Sequence, residues 1–565
     1  MPWKLACALS LNVDIQGVSG NLLVNVRSFM DIVSESKTSN ILSPVRIEQL
    51  HKKATEQIKR ALQPFGYYRV KVVKSLEHRD DSWTATYKIT PGEPIRISAI
   101  DISLTGEGKT SEDFVQLVKH FPLHKGDVLL DAKYEQFKTD LRNLALANGY
   151  LDAKFVQSEI RVDLEKYNAQ IILIYHTGPR YRFGKVTFVQ IGEQLDEQFL
   201  RRYLPFKEGD PYSTAKLLQL QRDLSDSDLL SRIEINQRFK ESHDLKIPLE
   251  LKLTPRKPKR YKFGVGYGTD TGARASVVHQ RLISPKGHVL ILKANVSEQL
   301  NRVDAQYLMP LRHPASEQFT MNAHYLEQTT LSRVSKAFAL DLRRTTGTGK
   351  WLQALAVTYE RESYTVGDEN GSTQLIMPNI NWIRSVYNNR IYPTRGSRMT
   401  TEIWISNTSW YSDVNFLQMR LSGKWIFPLG SSGRLLLRAD GGGTMVNSID
   451  QLPASKRFYA GGAQSIRGYG YEELGPHDAQ GNILGGKYLG VGSIEYEHHI
   501  YGNWGAAIFY DAGDAFNDVN GKVYRGTGVG VRWRSVVGPM RLDLGWPLDK
   551  KVQYPRLHIL LGLDL

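Results

Sequence analysis

From about residue 260 to the end of the chain, apolar and polar residues alternate one by one. Tyr261, Phe263, Val265 and Tyr267 alternate with Lys262, Gly264, Gly266 and Gly268. Val303, Ala305 and Tyr307 alternate with Arg302, Asp304 and Gln306, and Leu417, Met419 and Leu421 with Gln418, Arg420 and Ser422. Met540, Leu542, Leu544 and Trp546 oppose Arg541 and Asp543, and the last residues run Leu557, Ile559, Leu561, Leu563, Leu565. A period of two belongs to a β-strand, whose successive side chains point to opposite faces. One such strand suits a soluble sandwich equally well. About 16 of them over about 300 residues, with aromatics near their ends, describe a sheet that is apolar outside and polar inside. Lipid cannot satisfy an open sheet edge, so such a sheet must close. The expectation is a C-terminal 16-stranded transmembrane antiparallel β-barrel over residues 259–565, with a soluble β protein as the alternative.

Composition agrees with strands and excludes helical spans. Mean hydropathy is −0.36. No stretch reaches the roughly 18–20 apolar residues that a spanning helix needs; runs such as 171–175 are strand-sized. The net charge of +15 invites a nucleic-acid reading. The basic residues are spread along the whole chain, however, and charges that line a lumen or face lipid phosphate account for them; no nucleic-acid partner is expected. The single cysteine, Cys7, rules out an internal disulfide framework. Residues 1–10 read either as the remnant of a secretory signal or as a mis-assigned start.

Before residue 260 the chain repeats itself. Turns rich in Pro or Gly recur at Thr90-Pro91-Gly92, Thr177-Gly178-Pro179 and Thr254-Pro255. Lys125-Gly126-Asp127 parallels Glu208-Gly209-Asp210, and a helix follows each. Asp131 is the expected cap of the first of these helices and Ser213 of the second. In the first repeat, Ser43-Pro44 supplies a cap and an N1 proline for a helix with Ile47, Leu50, Ala54, Ile58 and Ala61 on one face. Two helices end in Gly66-Tyr67 and Gly149-Tyr150, where glycine supplies a left-handed stop. Each unit reads strand, helix, helix, strand, strand. Three α+β repeats are expected, at 11–92, 93–178 and 179–258.

A long segment between two late strands, about 447–485, contains Arg457-Phe458-Tyr459-Ala460-Gly461-Gly462-Ala463-Gln464-Ser465-Ile466-Arg467-Gly468-Tyr469. A Gly-Gly pair followed by Arg-Gly-Tyr resembles the sixth-loop signature of the BamA-type outer-membrane assembly superfamily. The repeats resemble the periplasmic POTRA domains of that superfamily. Three of them before a 16-stranded barrel look like its TamA-type branch, the outer-membrane subunits of translocation and assembly modules. The run Ser225-Asp226-Ser227-Asp228 departs from the glycine turn of many third repeats, which predicts a different local turn there.

The resemblance implies a bacterial outer-membrane location, with the repeats in the periplasm. It implies a factor that inserts or secretes client outer-membrane proteins such as autotransporters, working with an inner-membrane-anchored TamB-type partner; a two-partner-type secretion pore is the alternative. It also implies that the loop carrying Gly461, Gly462, Ile466, Arg467, Gly468 and Tyr469 folds into the lumen, where the arginine meets acids. A desolvated guanidinium needs such partners. Strand parity puts forward Asp511 and Glu495, the latter sharing a face with Glu497. A solvated loop arginine is the other reading of Arg467. The barrel is expected to close weakly between its first strand, at Gly264, Val265, Gly266 and Gly268, and its last, at Leu561 and Leu563. Strand glycines pack poorly; the same glycines also suit a strand that bends or makes room for the loop.

Catalytic signals are lacking. Glu495-Tyr496-Glu497-His498-His499 alternates across a strand and fits no zinc spacing. Gly347-Thr348-Gly349-Lys350 lacks the remaining positions of a phosphate loop, and no nucleophile elbow occurs. No enzyme activity, cofactor or metal is expected.

Overall fold

The computed structural model describes residues 10–561 except 39–41, 80–81, 390, 519–521, 536–537 and 551–553. Cys7 and Leu563 lie outside the described residues. The chain divides into two compact units, and the boundary runs through the third repeat.

The first repeat consists of β1 (Ser10–Gln16), α1 (Gly20–Phe29), α2 (Asp31–Thr38), α3 (Pro44–Leu62), β2 (Lys71–Arg79) and β3 (Ser82–Thr90). The second has β4 (Arg96–Thr105), α4 (Glu112–Lys119), α5 (Asp131–Ala147), β5 (Lys154–Asp163) and β6 (Asn168–His176). The third has β7 (Arg182–Gln190), α6 (Glu197–Arg201), α7 (Thr214–Asp226), β8 (Leu230–Gln237) and β9 (Lys246–Pro255). All three sheets share one order, first strand, last strand, hairpin partner: β1-β3-β2, β4-β6-β5 and β7-β9-β8. The first and last strands run parallel in the first two repeats, and the hairpin strands antiparallel.

Local chemistry explains the helix ends. The Ser43 hydroxyl accepts the Arg46 N–H, and Pro44 opens α3. The α3 stripe, Ile47, Leu50, Ala54, Ile58 and Ala61, is fully buried, and Leu50, Ala54, Ile58 and Ala61 share a core with Ala85, Tyr87 and Ile89. Burying each large aliphatic side chain is worth about 1.5–3 kcal/mol. Gly66 stops that helix region at φ +86° and Gly149 does the same after α5 at φ +85°.

The expected capping role of Asp131 is not realised. Asp131 is itself the first residue of α5; Leu130 holds the cap position and makes no side-chain cap bond. Its Oδ1 is buried without a hydrogen-bond partner. Burial and the nearby Glu135 push its carboxyl above the ordinary range. Ser213 sits immediately before α7, and its carbonyl accepts the Leu217 N–H. The departure at 225–228 is absorbed by Asp228, which takes the left-handed conformation (φ +56°) that a glycine would otherwise supply. Its carboxylate meets Arg260 at 2.9 Å and Arg256 at 3.4 Å.

Sixteen strands form one antiparallel sheet in sequence order. They are β10 (Lys259–Gly268), β11 (Gly272–Ser284), β12 (His288–Ser297), β13 (Leu300–Pro310), β14 (Glu317–Thr329), β15 (Arg333–Thr348), β16 (Trp351–Val366) and β17 (Glu369–Tyr387). The second half comprises β18 (Gly396–Ser406), β19 (Phe416–Leu429), β20 (Gly433–Met445), β21 (Tyr488–Tyr501), β22 (Trp504–Phe516), β23 (Tyr524–Ser535), β24 (Gly538–Pro547) and β25 (Arg556–Leu561). Burial follows the expected parity. Leu340 and Leu342 are exposed on the outer face while Asp341 between them is buried; Leu542 is exposed and Asp543 buried. Within the second unit, α6 is fastened to the barrel: the Asp196 N–H donates to the Pro285 carbonyl, Arg202 donates to that of Leu311, and the Phe199 ring covers Gly287.

Candidate functional site

The 42 residues 446–487 between β20 and β21 fold back into the barrel. Their apolar side chains give the loop a core of its own. Phe458, Ala460, Ile466, Tyr469 and Leu474 pack with Leu489, Val491 and Ala515 of the wall. Gly461 and Gly462 turn the chain at φ +100° and +104°, which a side chain would strain. The wall is flattened where the loop backbone lies on it. A Cβ on Gly526 would strike the Arg467 carbonyl, and one on Gly545 would stand 2.7 Å from the Gly468 nitrogen.

This backbone placement aims Arg467 at acids of three strands, β21, β22 and β24. Its guanidinium donates to Asp511 through Nε at 2.7 Å and Nη2 at 2.9 Å, and its own N–H donates to the same carboxylate at 3.0 Å. Nη1 donates to Glu495 at 2.7 Å and to Asp543 at 3.1 Å. The guanidinium also lies 3.4 Å from the Phe509 ring centre. Arg532 repeats the pattern, donating to Glu495 at 2.6 Å, Glu497 at 2.9 Å and Asp543 at 2.5 Å. Arg434 closes the chain of charges on Glu497. These residues are all buried. Shared forks of this kind satisfy every charge in a low-dielectric space where a lone one would be costly.

Two further contacts tie the loop to either side of the sheet opening. The Ala463 N–H donates to Asp270, in the turn after β10, at 2.8 Å. The Gly468 N–H donates to Nε2 of His558, on β25, at 2.9 Å. Arg467 thus stands with Asp511 and Glu495, while Ile466 and Tyr469 are fully buried in the loop core. Sequence reasoning did not put forward Asp543, Arg532, His558 or Asp270. Asp543 had the right parity signal; the others depend on a cross-barrel register that no local pattern carries.

Among the described residues no backbone hydrogen bond joins β10 to β25. Beside the two strands, the Ile559 N–H donates to the side-chain hydroxyl of Thr269, in the turn after β10, at 3.3 Å. Among the described residues six pairs hold β25 to β24, against sixteen between β15 and β16. Val265 is 89% and Phe263 79% exposed. A Cβ at Gly264, Gly266 or Gly268 would first meet Ser276, Arg274 or Thr271, not the loop. Room for the loop therefore does not explain these glycines. Leu561 pairs with Met540.

Comparison with known proteins agrees with this architecture. A family model described as the Omp85 superfamily domain matches residues 264–563. One described as "POTRA domain TamA domain 1" matches 12–91, and one described as "surface antigen variable number repeat" matches 181–256. The outer membrane protein assembly factor BamA of Nitratidesulfovibrio vulgaris is 22% identical, over 91% of this chain and 78% of its own. BamA of Neisseria meningitidis serogroup B is also 22% identical, over 89% and 71%. The crystal structure of Haemophilus ducreyi BamA lacking POTRA domains 1–3 shares the fold, with a TM-score of 0.63 at 17% identity, covering 82% of this chain and 99% of that one. The chain belongs to the Omp85 superfamily, as an outer-membrane β-barrel preceded by periplasmic POTRA repeats and of the class that assembles or translocates outer-membrane proteins.

Proposed function

We propose that this protein is a TamA-type assembly factor, which inserts or secretes client β-barrel proteins such as autotransporters together with an inner-membrane-anchored TamB-type partner. The observation that carries the reading is the outer edge of the first strand: β10 pairs with β11 on one side, and among the described residues no ladder joins its other side to β25. An edge without a ladder offers a row of backbone donors and acceptors, and a client strand can add to it by β-augmentation. Val265, Gly264, Gly266 and Gly268 on one side, with Leu561 and Leu563 on the other, form the lateral seam in this reading. The Gly461–Tyr469 motif, held by Arg467 on Asp511 and Glu495, keeps the loop in place while the seam opens. Three repeats, divided at 11–92, 93–178 and 179–258, and the match of residues 12–91 to a TamA-type POTRA model favour this branch over a two-partner secretion pore. A loop packed across the lumen also argues against a passive solute pore.

The test is site-specific trapping. Val265→Cys is placed in the protein and a cysteine in the terminal strand of a model autotransporter. Disulfide adducts during assembly are expected at Val265→Cys but not at Val357→Cys, an exposed position on β16 in the middle of the sheet. Equal trapping at both positions, or none at Val265→Cys, rejects the reading.

A further inference from the structure

The lumen contains a cavity of about 770 Å³ between the loop and the wall formed by β18, β19 and β20. Seven arginines and lysines line it, against three acids, Asp270, Asp440 and Glu472. All three acids are engaged. Asp440 is held by Arg420, Glu472 by Arg333, Thr330 and Ser332, and Asp270 accepts the Ala463 N–H.

Three of the cations form a row across adjacent strands. Arg398 stands directly opposite Lys424 in the β18–β19 register, and Lys424 directly opposite Arg438 in the β19–β20 register. Directly opposed residues have Cβ atoms about 4.5–5.5 Å apart on one face, and like charges there are destabilising. Neither Arg398 nor Lys424 has an ion-pair or hydrogen-bond partner among the described residues. Arg438 donates to the Ser465 carbonyl at 2.8 Å and stands 3.8 Å from Asp511, whose carboxylate is already taken by Arg467. The Nε of Arg438 is buried and unpartnered. Around Lys424, Arg541 and Arg434 add positive charge; Glu495 opposes it but is shared by Arg467 and Arg532.

We propose that the row Arg398–Lys424–Arg438 binds a polyvalent oxyanion, a phosphate or diphosphate group carried either by a free anion or by a lipid headgroup that reaches the lumen. Two guanidinium groups flanking an ammonium, at cross-strand spacing, offer several donors to adjacent oxygens of one anion. Binding relieves the repulsion that the empty wall carries, and the cavity accommodates a diphosphate with its water.

The test uses the full chain in neutral detergent and chloride buffer of low ionic strength, with sodium pyrophosphate as the probe. Pyrophosphate is expected to raise the unfolding temperature and to bind at least about tenfold more weakly to Lys424→Gln and to Arg398→Gln. Without pyrophosphate, both variants are expected to be at least as stable as the native chain, which a purely structural role for these side chains does not predict. In lipid discs, stabilisation by phosphatidic acid over phosphatidylcholine assigns the anion to a headgroup; stabilisation by pyrophosphate alone assigns it to a free ion. The absence of binding, or equal binding to the native chain and both variants, overturns the proposal. Arg398, exposed on the wall, supplies the reading if Lys424→Gln does not fold.

Discussion

The backbone N–H of Gly468 donates to Nε2 of His558 at 2.9 Å, so the lumen loop is fastened to the last strand of the barrel. Five residues earlier the loop is fastened to the turn after the first strand, through Ala463 and Asp270. The loop therefore bridges β10 and β25, and among the described residues the seam is held by side chains and a loop and not by a backbone ladder. His558→Phe removes the acceptor and leaves a buried N–H unsatisfied, which costs about 1–3 kcal/mol. Thermal unfolding in detergent is expected to show the loss, and His558→Gln, which restores an acceptor oxygen, is expected to recover part of it.

Arg467→Ala strips Asp511 of its guanidinium fork and leaves Glu495 and Asp543 to Arg532. Stripping one partner from a buried ion pair costs about 3–5 kcal/mol. Arg467→Lys keeps the charge but not the fork, so it is expected to fall between the two. The resistance of the folded barrel to urea, read from its mobility in unheated gels, measures the order. An alanine variant as resistant as the native chain would mean that the network carries no stability.

Gly545→Ala places a methyl group 2.7 Å from the Gly468 nitrogen. Displacing the loop is expected to cost about 1–3 kcal/mol. Gly492→Ala, where an added Cβ meets nothing within 4 Å, serves as the control and is expected to lie within about 0.5 kcal/mol of the native chain.

Asp228 combines a left-handed backbone with two arginine contacts. Asp228→Gly keeps the backbone conformation; Asp228→Val adds a strain of about 1–2 kcal/mol. Burial alone would push the Asp228 carboxyl up, but Arg260 and Arg256 outweigh it and hold it below the ordinary range. A depressed carboxyl contributes stability that is present above its unfolded value, about 3.9, and is lost as pH falls through the lower folded value. The stability difference between the native chain and Asp228→Asn is therefore expected to be small but measurable at pH 7 and to shrink toward pH 3.

The barrel was legible because a period of two survives over sixteen strands, and each strand reports its own faces without knowledge of its neighbours. Val265 and Leu542 on the outside, with Asp511 and Glu495 on the inside, follow from parity alone. His558, Asp270 and Arg532 were not legible, because their meeting depends on the shear of the closed sheet and on where a 42-residue loop comes to rest. Asp131 misled because an acidic residue before an amphipathic stripe suits both the cap and the first helical turn, and tertiary packing put Leu130 at the cap. The Ser225–Asp228 run suggested a different local turn, but Asp228 takes the left-handed conformation that a glycine would supply, which residue identity alone did not reveal.

The central claim is that the barrel works by opening between its first and last strands. The most direct test is a seam lock: Val265→Cys and, separately, Tyr267→Cys, each combined with Leu561→Cys and neighbouring registers in a Cys7→Ser background, with insertion of a model autotransporter as the readout. The account predicts that the oxidised, correctly assembled barrel loses client insertion and that reduction restores it. A locked barrel that inserts its client at the native rate would contradict the account and would leave the repeats or a perturbation of the surrounding membrane to carry the work.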